Sequence, residues 1–210
     1  AAFTAFLLVL LLGAPTARLL KKMNVQATER LAGLVPEEFI DREKSKTSCM
    51  GGILIVGAII VSALLWTDLS LIPVVLAAGT LLLALTGFID DFLNVWKKDP
   101  KGMPGKVKML LQILIASAVV WGFSLAPEMR SGLLTQLMIP FFKEPVLASK
   151  WMYLLEVIVI VGASNAVNLT DGKDGLASGC TIFCTLTYAV FAYVMGHKVF
   201  AGYLNLPYIA

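Results

Sequence analysis

Charge is what this chain has least of. Asp, Glu, Lys and Arg make up 15% of its 210 residues against 58% hydrophobic residues, and the mean hydropathy is +0.83, a balance that soluble domains rarely reach. Histidine is nearly missing: the single His197 cannot build a zinc site and reads as a residue at a membrane interface. Of the three cysteines, Cys180 and Cys184 lie four apart on one face of an apolar helix, where small, weakly polar packing residues are ordinary. Cys49 falls on a side expected to stay reduced. No internal repeat and no low-complexity linker breaks the chain, so a single integral membrane domain over 1–210 is the economical reading.

What is present is a series of apolar runs. Ala1–Ala17, Thr47–Thr67, Leu69–Ile89, Met109–Pro127, Val157–Thr170 and Gly175–His197 contain no Asp, Glu, Lys or Arg. Most approach or exceed the roughly 20 residues that span a bilayer core. Val157–Thr170 is long enough only with Trp151–Glu156 added, which puts Glu156 near one interface and Trp151 and Tyr153 in an aromatic belt. Ser131–Phe142 is apolar but short and carries Pro140, so an interfacial or re-entrant piece is expected there. The fold class is therefore all-α, a polytopic membrane helical bundle with about six transmembrane helices.

Basic residues set the orientation. If the first run exits into the cytoplasm, 13 of the 17 Lys and Arg lie on that side, and Arg130, Lys143, Lys150 and Lys198 lie on the other. Such a bias places the N-terminus outside and loops 18–52, 90–108 and 168–175 in the cytoplasm. The first run has no initiator Met and no obvious cleavage site, so it reads as a trimmed first span and not as a signal peptide.

Three polar clusters then share one membrane face. In the first, Lys44-Ser-Lys-Thr-Ser-Cys-Met-Gly-Gly52 is basic, bears hydroxyls and closes on two glycines. A helix start there can turn backbone N–H groups towards an anion; the plain alternative is a solvated loop with a Gly-Gly turn. In the second, the run Leu69–Ile89 ends in Asp90 and Asp91, and Lys97, Lys98, Lys101, Lys106 and Lys108 follow. The run's end is expected to be the helix's C-terminal end, where the dipole repels each carboxylate by roughly 0.3–1 kcal/mol. A following lysine or a divalent metal must then compensate, and metal with lysines is how proteins hold phosphates. In the third, Asn165 to Gly179 interrupts apolar sequence with two asparagines and two aspartates, which are functional candidates by default at membrane depth. Gly172 and Gly175 permit a tight turn, and Asp174 is also a candidate N-cap.

GFIDDFLNVWKKDPKGMPGKVKMLLQ and NAVNLTDGKDGLASG, together with KSKTSCMGG, resemble signature segments of the polyprenyl-phosphate N-acetylhexosamine-1-phosphate transferase superfamily. The resemblance runs from about Arg18 to Gly179, and it is strongest to the branch acting on UDP-MurNAc-pentapeptide. It implies a magnesium (Mg2+)-dependent enzyme of the bacterial inner membrane, active on the cytoplasmic face in peptidoglycan synthesis. Phospho-MurNAc-pentapeptide would pass from UDP-MurNAc-pentapeptide to undecaprenyl phosphate, giving lipid I and UMP. Asp90 and Asp91 are implied at the catalytic centre, one of them as the base that activates undecaprenyl phosphate; because that phosphate is already mostly deprotonated at neutral pH, a positioning or magnesium-linked role for at least one of Asp90 and Asp91 is the more economical reading. Lys44, Thr47, Lys98, Lys106, Asn165, Asn168, Asp171, Gly172 and Asp174 are implied as substrate or phosphate contacts, while Lys97 and Lys108 read as positive-inside anchors. Membrane lipid is a partner, nucleic acid is not, and a homodimer is compatible with this reading.

Departures from the family pattern are local. Lys44, Thr47, Met50, Gly51 and Gly52 match its Lys-x-Gly-Thr-Pro-Thr-Met-Gly-Gly, while Lys46, Ser48 and Cys49 replace Gly, Pro and Thr. Lys173 stands where the family commonly has an apolar residue. The family's further magnesium-binding Asp and its histidine-rich loop belong to later helices that have no counterpart here. The chain is therefore expected to be the N-terminal part of a longer enzyme and inactive alone. Two other readings compete: a related UDP-GlcNAc:polyprenyl-phosphate GlcNAc-1-phosphate transferase, which the Thr-x-x-Met-Gly-Gly segment disfavours, and a membrane transporter, which would want acidic residues near mid-span.

The orientation has a direct test. Cysteines placed singly at Asp90, Lys101 and Asp174, with the native cysteines replaced, should be protected from an impermeant thiol reagent in intact cells. Labelling at all three would reverse the topology.

Overall fold

A computed structural model describes residues 1–23, 50–97, 102–127, 129, 132–137, 144–171, 175–204 and 206–209. Its helices are α1 (Ala2–Lys22), α2 (Gly52–Trp66), α3 (Leu71–Lys97), α4 (Gly105–Ser124), α5 (Met152–Thr170), α6 (Leu176–Met195) and α7 (Lys198–Tyr203). Five of them, α1, α3, α4, α5 and α6, are long and apolar enough to cross a membrane. Helix α2 is apolar but has 15 residues, about 22 Å at 1.5 Å per residue, which is shorter than the expected sixth span.

Hydrophobic exposure fits a bilayer as solvent. Phe3, Phe6, Leu10, Leu65, Phe183 and Tyr188 are each at least 60% exposed, which would be costly in water and is ordinary against lipid. All four tryptophans are exposed and sit at or near helix ends: Trp66 closes α2, Trp96 is next to last in α3, Trp121 lies in the last turn of α4, and Trp151 is the N-cap of α5. That is where an aromatic belt places them. The chain is a multi-pass membrane protein.

Two compact units divide the chain, Ala1–Val119 and Val120–Ala210. Within the first, α1 and α2 meet at small residues. Ala58 and Ser62, one turn apart, are the buried positions of α2; the Ser62 hydroxyl donates to the Ala1 carbonyl, and the Trp66 indole N–H donates to Thr4 Oγ1 at 2.9 Å. Small residues let helix backbones approach where no hydrophobic force drives them together. Close approach recurs between α3 and α4, where a Cβ built on Gly79 would lie 2.5 Å from Val119 Cγ2.

In the second unit, α5 begins at Met152, so Trp151–Glu156 does join the Val157–Thr170 run. Before it, the piece expected to be interfacial contains a 3-10 turn, Leu133–Thr135, and a two-residue strand, β1 (Gln136–Leu137). β1 pairs antiparallel with β2 (Leu147–Ala148), matching Gln136 to Ala148 and Leu137 to Leu147. Val120, Phe123, Leu134, Leu155, Val159 and Ile160 line a cavity of about 330 Å3 with Glu156 at its wall. Helix α6 starts from Gly175 in the left-handed region, φ 81°, a conformation that glycine adopts without steric cost. Gly175 is thus the N-cap in place of the expected Asp174, which lies outside the described residues.

One boundary differs from expectation in a way that matters for function. Helix α3 does not end with its uncharged run: it continues through Asp90 and Asp91 to Lys97. The two carboxylates therefore sit well inside the helix, where the dipole, which acts within about the last turn, no longer decides their energy.

Candidate functional site

On an α-helix, neighbours in sequence point about 100° apart, and Asp90 and Asp91 show the consequence. Asp90 is buried at 9% exposure and Asp91 is exposed. Thr86, Asp90 and Asn94 are spaced by four on one face of α3, and all three are buried. Thr86 satisfies its hydroxyl on the Leu82 carbonyl at 2.9 Å. Asn94 Oδ1 has no hydrogen-bond partner among the described residues, which marks this face as one that accepts a further donor.

The Asp90 carboxylate is held from α4 and from the residues that lead into it. Lys108 Nζ stands 2.7 Å from Asp90 Oδ2, with the two side chains 16% and 12% exposed. The Met103 backbone N–H donates to Asp90 Oδ1 at 2.8 Å. A charge-assisted pair removed from water is hard to break, since leaving one partner buried alone costs roughly 3–5 kcal/mol. Lys108 is therefore more than the positive-inside anchor expected of it. The signal for this was present: Lys108 and Gln112 are one turn apart on α4 and both turn inward, Gln112 being 3% exposed.

Gly102 makes the arrangement possible. Its φ is +57°, and a Cβ there would lie 2.5 Å from Asp90 Oδ1 and 3.3 Å from the Asp90 carbonyl oxygen. Left-handed backbone and close approach both call for glycine. Just beyond, Val107 and Lys108 donate their N–H groups to the Pro104 carbonyl at 2.9 and 3.1 Å, so α4 starts one turn before the lysine that returns to Asp90.

The remaining sequence-derived candidates fall as follows. Lys106, two residues from Lys108, is exposed on the opposite side of α4. Asn165 is half-buried in α5 and donates from Nδ2 to the Val161 carbonyl at 2.8 Å; Asn168 is exposed on the same helix, and exposed Asp171 is its C-cap, with N–H to Val167 O at 3.1 Å. Lys44, Thr47, Lys98, Gly172 and Asp174 lie outside the described residues. At the start of α2, Met50 takes a left-handed φ of 70° ahead of the N-cap Gly51.

Metal ligation can be weighed against this geometry. Among the described residues no three of His, Cys, Asp and Glu cluster. Asp90 is engaged by an ammonium and an amide, and Asp91 points elsewhere, so the pair does not form one chelate. Magnesium is commonly held by one or two carboxylates together with substrate phosphates, and exposed Asp91 fits that smaller part.

A multi-pass membrane protein with a lysine-paired carboxylate and a basic connection at one helix end is the class that these features define. Residues 73–207 match the family model described as Glycosyl transferase family 4, and the chain belongs to that family. It is similar along its whole length to curated proteins named phospho-N-acetylmuramoyl-pentapeptide-transferase: 43% identical to that of Desulfotalea psychrophila, 42% to that of Pelobacter propionicus and 38% to that of Thermodesulfovibrio yellowstonii. The chain spans 57% of the length of each.

Two glycines three residues apart give a contrast. Gly102→Ala forces a strained φ and a clash with Asp90, and should lower stability by roughly 1–3 kcal/mol. A Cβ at Gly105, the first residue of α4, meets nothing within 4 Å, so Gly105→Ala should be neutral or stabilising by up to about 1 kcal/mol. Thermal unfolding of the two purified variants in detergent measures the difference; equal losses would remove the special role of Gly102.

Proposed function

We propose that the full-length protein transfers phospho-MurNAc-pentapeptide from UDP-MurNAc-pentapeptide to undecaprenyl phosphate, releasing UMP and forming lipid I at the cytoplasmic face of the inner membrane. The observation that carries this reading is the relatives' similarity over 100% of this chain. The α3–α4 connection supplies chemistry that suits it.

In the proposed reaction, an oxygen of the lipid phosphate attacks the phosphorus that bears the sugar. The anhydride bond between the two phosphates of the UDP carrier breaks, and UMP leaves with the bonding electron pair. Such transfers depend mostly on in-line positioning and on neutralising charge. Segment 90–108 has five lysines against three aspartates, a formal excess of two positive charges that favours a phosphate-bearing ligand. Lys106, exposed on α4, would meet phosphate oxygens. Asp91 would hold Mg2+ together with those oxygens, and the ion when bound supplies further charge neutralisation. No strong base is required, since a phosphate monoester with a second pKa near 6 is already mostly dianionic at neutral pH. The N-terminus is outside on this reading, which the bias of Lys and Arg towards one side supports.

Formation of lipid-linked product from UDP-MurNAc-pentapeptide and undecaprenyl phosphate by the full-length protein is the deciding assay. Product from UDP-GlcNAc alone would move the reading to the related GlcNAc-1-phosphate transferases, and no lipid-linked product from either sugar would end it. Within that assay, Lys106→Ala should lose about 100-fold or more in kcat/KM and Lys97→Ala less than about threefold, at equal membrane abundance. Similar losses would remove the distinction between ligand and anchor.

A separate measurement addresses the metal. Asp91→Asn should raise the magnesium concentration needed for half-maximal rate by about tenfold, and the loss should persist across pH. Full recovery at alkaline pH with an unchanged magnesium requirement would instead make Asp91 a general base.

A further inference from the structure

Lys108 lies outside the set of residues expected to touch substrate, yet its ammonium is ion-paired with the Asp90 carboxylate. The contacts around it close a ring. Asp90 Oδ1 accepts the Met103 N–H at 2.8 Å, the adjacent Pro104 carbonyl accepts the Lys108 N–H at 3.1 Å, and Lys108 Nζ returns to Asp90 Oδ2 at 2.7 Å. Gly102 enters this ring with a left-handed φ of 57°, and its missing side chain leaves room for the carboxylate. Met103 is buried at 7% exposure. One carboxylate thus fixes both the chain that leads into α4 and the rotation of α4 itself.

We infer that Lys108 is a positioning residue that acts through Asp90, the pair serving as an internal clamp that orients Asp91 and Lys106 outward. Rotation is the reason. Lys106 and Lys108 differ by two residues, about 200° around the helix, so turning Lys108 inward to Asp90 turns Lys106 out to solvent. Asp91 follows Asp90 by about 100°, so holding Asp90 against α4 fixes the direction in which Asp91 points. The clamp therefore sets two exposed, oppositely charged groups from one buried pair. A 1 Å misplacement of catalytic groups is enough to cost about 100-fold in rate.

The catalytic consequence rests on the proposed transferase reading, whereas the clamp itself does not, and two measurements on the full-length protein keep them apart. The first needs no substrate. With the native cysteines replaced, Met103→Cys in inverted membrane vesicles should react slowly with N-ethylmaleimide, and adding Lys108→Met or Asp90→Asn should speed modification by about tenfold or more. Protection unchanged by either substitution would overturn the clamp.

The second measurement is a double-mutant cycle on lipid I formation. Lys108→Met and Asp90→Asn should each lower kcat by about 10- to 100-fold with KM for the UDP-sugar within about threefold. The double variant, which removes both charges of the pair, should be no slower than the worse single variant, and Lys108→Arg should recover most of the rate. Losses that multiply, or a raised KM at unchanged kcat, would make Lys108 an independent substrate ligand and overturn the inference. A wild-type protein that makes no lipid-linked product would sink the transferase reading and leave the thiol measurement to judge the clamp.

Discussion

A carboxylate inside an apolar helix needs a partner, and that need shapes the first unit around Asp90. Desolvating an unpaired carboxylate costs several kcal/mol even after relaxation, so the chain leaving α3 at Lys97 has to come back. It returns through Gly102 and Met103, whose left-handed turn and amide meet Oδ1, and then delivers Lys108 to Oδ2 from the first turn of α4. The register of α4 follows from this contact: Lys108 and Gln112 face inward, and Lys106 faces out. A single electrostatic requirement thereby fixes a loop conformation, a helix start and a helix rotation.

The same logic explains a distribution that would be inverted in a water-soluble protein. The buried positions are mostly small or polar, among them Ala58, Ser62, Thr86, Asp90, Asn94, Gln112 and Ala116, while leucines, isoleucines and aromatics lie exposed along the helices. Lipid tails are as apolar as leucine, so helix association in a bilayer rests on close backbone approach and on hydrogen bonds between polar groups. Ser62 on Ala1, Trp66 on Thr4 and Lys108 on Asp90 are such contacts, and Gly79 against Val119 is such an approach.

Much of the fold was legible because hydropathy reports the solvent each segment faces. The uncharged runs locate α1, α3, α4, α5 and α6, and Trp151–Glu156 joins α5 as its length required. Hydropathy does not report where a helix ends. Asp90 closes the uncharged run, yet the backbone hydrogen bonds of α3 continue to Lys97, so the expected dipole penalty on the carboxylates disappeared. Nor could spacing choose among the five lysines after Asp91. That choice depends on the φ of Gly102, a single backbone angle, and the one sequence sign of it is that Lys108 shares a face of α4 with buried Gln112, one helical turn on. The apolar stretch before α5 holds a 3-10 turn and the two-residue strand β1, which pairs with β2, elements too short to leave a periodic signal.

Adjacent carboxylates invite a shared role, and here geometry divides them. A general base must be within hydrogen-bond reach of the proton it takes, with an oxygen free to take it. Asp90 meets neither need well: its oxygens face the Lys108 ammonium and the Met103 amide, and its side chain is 12% exposed. The lipid phosphate of the proposed reaction, already mostly dianionic at neutral pH, has little proton to give. What such a reaction demands is charge held still at fixed positions. Asp90 answers by holding the scaffold and Asp91 by facing outward, so the pair is better understood as one carboxylate that positions and one that is positioned.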